Sequence, residues 1–177
     1  MPPRMSAGIL LFRRTGGQLE VLLGHPGGPF FGRKDFGNWS IPKGETSPDD
    51  RALELTARRE FEEETGHPVP EGPLLDLGWV KQKGGKIVYA WAAEGDMDPA
   101  AAVSNTFSFE WPPFSGHIRE YPEIDRVDWY GPLEARKRMK EPQIPFLDRL
   151  EGILREEELQ PAIPSSGSQG DLSSDHG

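Results

Sequence analysis

The sequence predicts an α/β (α+β) sandwich, a mixed β-sheet held between helices. Three observations carry that prediction: aliphatic, strand-like runs stand on both sides of one strongly marked helix, helical patterns close the chain, and Gly/Pro-rich stretches separate the segments. "SAGILLFRR" and "LEVLLGH" read as strands, with "TGGQ" between them as a hairpin turn. Pro26 to Asn38, "PGGPFFGRKDFGN", reads as a loop because its glycines and prolines oppose regular structure. After "WSIPKGE" a helix is expected, with Ser47 as cap, Pro48 in the first helical position and Asp50 three residues after the cap. Gly66 and Pro68 mark its end. Within it, Leu53, Ala57 and Phe61 fall at i, i+4 and i+8 and form an apolar stripe. Further strands are expected at "LLDLGWVKQ", "KIVYAWAAE", "NTFSFEW" and "IDRVDWY", and helices at "GPLEARKRM" and "IPFLDRLEGILREEEL". Residues 1–159 are expected to form one domain. From Gln160 the chain turns Ser/Gly/Pro-rich, a composition expected to remain disordered.

A chain of 177 residues can bury one real core but not comfortably two. It has no cysteine, which excludes disulfides and thiolate chemistry and leaves oxygen ligands or the four histidines to hold any metal. Oxygen ligands suit magnesium, manganese or calcium. The N-terminal apolar run "AGILLF" reads as a strand, not a signal, and no stretch reaches the ~20 apolar residues of a membrane span, so no membrane partner is expected and the cytoplasm is the expected compartment. A formal charge of -9 argues against dedicated nucleic-acid binding. An anionic substrate would therefore need a local patch of positive charge, or a cation.

The charge is concentrated in "REFEEETG", Arg59 to Gly66. On a helix Glu60, Glu63 and Glu64 stand at i, i+3 and i+4, so three carboxylates share one face within a turn, which is unfavourable unless something positive lies among them. Arg59 can pair with Glu62 or Glu63. Taken alone, such a run is a solvated helix face. Its company is "PKGE" just before the helix, and together the two stretches resemble the Nudix hydrolase box: Gly44 matches the first glycine, and Arg59, Glu60, Phe61, Glu63, Glu64 and Gly66 match the second half in order. The segment from Gly44 to Arg59 is one residue longer than the family pattern, so its first acidic position falls on Asp50 counted forward and on Arg51 counted backward. The last apolar position is His67. "SAGILLFRR", "WSIPKGE" and "PEIDRVDWY" further resemble the flanking strands of the diadenosine-tetraphosphatase-like branch.

The resemblance implies the Nudix fold and magnesium- or manganese-dependent hydrolysis of a pyrophosphate bond. It implies Glu60, Glu63, Glu64 and the main-chain carbonyl of Lys43 as metal ligands, and Arg59 as the residue that orients a glutamate. The general base falls outside the box in many members; Glu123 is favoured over Glu120. Lys43, Arg33 and Lys34 are candidate phosphate contacts, and Trp39, Trp111 and Phe114 candidate contacts to a nucleoside. "EWPPFSG" is the aromatic stretch whose prolines break a strand and expose it. His25 and His117 are weaker candidates, because a lone histidine is more often a satisfied hydrogen-bonding residue. The implied substrate is a nucleoside diphosphate linked to another moiety, with dinucleoside polyphosphates first and a nucleoside triphosphate or ADP-ribose second. A non-catalytic nucleotide sensor on the same fold is the alternative of another class.

Overall fold

The computed structural model describes residues 4–160. The core of the architecture is a sheet of strands β1 (Met5–Thr15), β2 (Gln18–Pro26), β3 (Lys43–Glu45), β4 (Leu75–Lys81), β5 (Ile87–Glu94) and β8 (Ile124–Tyr130). Its order is β4-β5-β1-β2-β8, with β3 also paired to β1. The β1–β5 pair is parallel and the other pairs are antiparallel, so the sheet is mixed as expected. Thr15 pairs with Gln18 across Gly16 and Gly17, both at positive φ (59° and 79°), the backbone that a two-residue hairpin turn requires.

Period-two alternation along β1 sorts its side chains onto two cores. Ala7, Ile9 and Leu11 pack with Leu22, Ala57 and Phe61 under helix α1 (Leu53–Thr65). Leu10 and Phe12 pack with Leu23, Phe146, Leu147 and Leu150 under α2 (Pro132–Arg138) and α3 (Ile144–Leu159). Helices therefore cover both faces. The apolar stripe of α1 lies where periodicity put it, and Gly66 ends the helix in the left-handed region (φ 76°) with its N–H donating to the Glu62 carbonyl.

Two local expectations are corrected, and one strand is added to those expected. The first helix begins at Leu53, with Ala52 rather than Ser47 at its cap; the Asp50 carboxylate does accept the Ser47 N–H at 2.8 Å, but it also binds Thr56 and Arg59, so residues 47–52 form a turn that the helix enters later. "IREYP" forms a strand, β7 (Ile118–Pro122), which pairs with β6 (Thr106–Glu110) in a hairpin separate from the main sheet. Trp39, a candidate nucleoside contact, is 1% exposed and packs edge-on against His25 and Tyr130 in the core. Burial on all sides removes it from the substrate contacts. The Ser/Gly/Pro-rich tail lies outside the described residues from residue 161 onward, and no described helix is long and apolar enough to cross a membrane.

Candidate active site

β3 and the exposed edge of α1 meet at Gly44. A Cβ there would lie 2.1 Å from the Glu60 carboxyl carbon, so only glycine lets the strand backbone touch that carboxylate. One residue earlier, the Lys43 N–H donates to Glu64 Oε2 at 3.1 Å. Arg59 braces the cluster: Nη1 donates to Glu60 Oε1 at 2.8 Å and Glu63 Oε1 at 3.2 Å, while Nε and Nη2 grip Asp50 at 3.2 and 2.7 Å. Asp50 thus fills the first acidic position of the box, and the extra residue is absorbed in the turn before α1. Glu62, the other partner considered for Arg59, points to solvent.

Electrostatics follow the packing. Burial pushes the Glu64 carboxyl up to about 8, opposed by Lys43 and reinforced by Glu60 and Glu123. Burial and the neighbouring Glu63 also raise Glu60, against the pull of Arg59. The Arg59 guanidinium and the Ser47 N–H hold Asp50 well below the usual carboxylate range. Burial, then the charges of Lys86 and Lys140, push the Lys43 amine down to about 8. Lys86 and Lys140 were not singled out in the sequence; they come from two separate connections and only the fold brings them beside Lys43.

The remaining candidates divide by position. Glu123, between β7 and β8, is held by backbone bonds to Asn105 and Gly27 and is among the charges acting on Glu60 and Glu64. Glu120 sits within the hairpin opposite Ser108 and is not among those charges. Arg33 and Lys34 are exposed in the β2–β3 loop, and no carboxylate pairs with either among the described residues. Trp111 packs edge-on against Phe30 (5.1 Å), and Phe114 is fully exposed at the hairpin tip. The five-residue strands put that tip roughly 17 Å from the Glu123 end. His25 is buried, with Nδ1 on Asp125 (2.8 Å) and Nε2 on the Lys34 carbonyl (3.0 Å); both ring nitrogens are spent inside the fold, so it is not a substrate contact. His117 is exposed on the hairpin.

A hard divalent cation fits the donors in kind, since the cluster offers carboxylate and carbonyl oxygen only. Among the described residues no three carboxylates or histidines are gathered round one point, because Arg59 Nη1 lies between Glu60 and Glu63.

A family model of the NUDIX domain matches residues 2–150. The chain belongs to the Nudix family. That membership places it among Nudix pyrophosphohydrolases. The Nudix fold is also shared with solved structures. The NUDIX domain of Shewanella oneidensis NrtR complexed with ADP ribose is 17% identical, with a TM-score of 0.62 over 87% of this chain and 90% of that one. A Caenorhabditis elegans Ap4A hydrolase binary complex is 18% identical, with a TM-score of 0.61 over 85% and 98%. A mutT/nudix family protein from Listeria innocua is 19% identical, with a TM-score of 0.59 over 90% and 98%. No curated protein matches the chain in a sequence search.

Proposed function

We propose that this Nudix protein hydrolyses a phosphoanhydride bond in a nucleoside diphosphate linked to another moiety, with dinucleoside polyphosphates as the leading substrates and magnesium or manganese as the cofactor. The observation that carries the reading is the seating of Glu60 against Gly44 and of Glu64 on the Lys43 N–H, with Arg59 bridging Glu60 to Glu63. Glu60, Glu63, Glu64 and the Lys43 carbonyl would hold the ion. When bound there, such a cation neutralises phosphate charge and makes water a better nucleophile. Lys43, Arg33 and Lys34 draw in the polyphosphate. Arg59 keeps Glu60 and Glu63 in place and Asp50 keeps Arg59 in place. Glu123 accepts the proton of the attacking water as the new P–O bond forms and the bridging P–O bond breaks. The two products are a nucleoside phosphate and the phosphorylated remainder of the substrate, one of which departs as the oxyanion of the broken bridge.

The roughly 17 Å between Glu123 and the aromatic tip favours a long substrate, because a base on Trp111 or Phe114 must be joined by several phosphates to a bond cut beside Glu123. The lengthened box is the feature that favours the sensor alternative; the Asp50–Arg59 pair, which gives Arg59 an acidic partner despite the extra residue, supports the hydrolase reading. Diadenosine tetraphosphate, nucleoside triphosphates and ADP-ribose, each incubated with magnesium and resolved by product chromatography, test the proposal. Faster turnover of the dinucleotide is expected. No product from any of them would return the sensor reading.

A further inference from the structure

Beside Lys140, on the sheet face opposite α1, lies a cleft of about 680 Å³ between the β4–β5 connection and the α2–α3 connection. Lys83, Lys137 and Lys140 line it together with Glu141 and the paired Arg136, and none of the three lysines has a carboxylate partner among the described residues. That is unusual placement in a chain of net charge -9. The Gln82 N–H donates to the Lys86 carbonyl at 2.8 Å, and the Lys86 ammonium lies 3.7 Å from Glu45 of β3, so the cleft wall runs on to the strand that carries Lys43 and Gly44.

The cleft also contains one polar group whose orientation is fixed from within the protein. The Ile41 backbone N–H can only donate, and its partner at 3.1 Å is Gln143 Oε1. The Gln143 amide nitrogen must then be the atom that donates to Ser40 Oγ and to Gln82, each at 2.9 Å. Gln82 therefore presents its oxygen to Gln143. Its own amide nitrogen, with two N–H groups, has no hydrogen-bond partner among the described residues, and Gln82 lines the cleft. Gln143 is fully buried, so the relay is rigid.

We propose that this cleft is a nucleotide subsite in which the lysines take the phosphates and Gln82 donates to an acceptor atom of the nucleoside, a role that rests on the hydrolase reading and extends it to how the substrate is held. Gln82 is then a specificity residue: its two free N–H groups reward an acceptor on the nucleoside. The test uses AMP, GMP and UMP, which have no anhydride bond to cut, titrated by calorimetry into the full chain in EDTA, with inorganic phosphate as the probe for charge alone. Gln82→Glu keeps an oxygen for Gln143 and removes both free donors; Gln82→Met removes the group altogether. Both are expected to weaken the best-bound monophosphate about tenfold, and Gln82→Met should leave inorganic phosphate unaffected. Lys140→Met should weaken the monophosphate and inorganic phosphate alike. In turnover the Gln82 variants should lose in KM rather than in kcat. Monophosphate affinity within twofold of wild type in all three variants, or no binding of any monophosphate by the wild type, overturns the subsite while hydrolysis of the panel above stands. Gln82-dependent binding in a protein that cuts nothing upholds the subsite and overturns the hydrolase reading.

Discussion

Replacing Glu64 by glutamine should make the metal-free protein more stable at pH 8 and leave it nearly unchanged at pH 5. In the folded chain the Glu64 carboxyl is held at about 8, chiefly by burial. An unfolded glutamate ionises near 4.3 (~). The folded state therefore keeps a proton that the unfolded state has lost, so stability is full below about pH 4 and falls as the pH rises toward 8. At about 1.4 kcal/mol per unit the window holds about 5 kcal/mol as an upper bound, and solvent screening of a group that is not fully enclosed brings the working figure to about 3 kcal/mol. Lys43, lowered to about 8, begins to lose its proton only at the upper edge of this window, and its own dependence on pH runs from there toward the ordinary lysine range, in wild type and variant alike. Glutamine retains an oxygen for the Lys43 N–H, now 3.1 Å from Glu64, and cannot ionise. Urea unfolding in EDTA at pH 5, 6, 7 and 8 should show the variant gaining on wild type by about 3 kcal/mol, equivalent to roughly 6–12 °C in Tm. Millimolar magnesium should stabilise wild type at pH 8 and the variant much less. Parallel pH profiles would refute the argument that Glu64 is ionised against its surroundings.

Gly44→Ala drives a methyl to 2.1 Å from the Glu60 carboxyl carbon, so the carboxylate must swing away; a cost of about 1–3 kcal/mol and at least about a tenfold loss in kcat are expected, and unaltered steady-state kinetics would show that Glu60 need not lie there. Asp50→Asn leaves Arg59 without its bidentate partner and should lower kcat about tenfold, with Asp50→Glu recovering part of it; equal rates for all three proteins would make the bracing incidental. Trp111→Ala should raise KM about tenfold for a dinucleoside polyphosphate while sparing a nucleoside triphosphate, a contrast lost if the tip is not a base contact. Trp39→Ala should instead cost about 3–5 kcal/mol as a core deletion with KM unmoved, and a KM effect at intact stability would restore it to the substrate site.

What was legible in the sequence follows the range of the interactions. The strands and closing helices were readable because alternation along β1 and the Leu53, Ala57, Phe61 stripe are themselves the burial pattern. The start of α1 was misread because Ser47, Pro48 and Asp50 form a sound local cap, yet Asp50 gains more from Arg59 nine residues on. β7 was missed because its side chains are mostly exposed and show no alternation. The acidic cluster was readable as three carboxylates on one helical face. Lys86, Lys140 and Gln82 were not, since each is an ordinary polar residue until the β4–β5 and α2–α3 connections come together. Trp39 and Trp111 are alike as letters; only the packing of Tyr130 and His25 separates core from surface.

β1 is bonded along one side to β2 and β3 and along the other, in parallel, to β5. During synthesis the β1–β2 hairpin is complete by Pro26, but the strand that covers the far edge of β1 ends only at Glu94. At about 5–20 residues per second the ribosome needs roughly 3–14 s to make that interval. For those seconds the most apolar strand of the nascent chain carries an open row of amides and carbonyls, a template for pairing with a neighbouring chain on the same messenger. Crowded translation, rather than heat, is then the condition under which this protein is most exposed to aggregation, and slowing initiation should raise its soluble yield more than lowering the temperature of the finished protein.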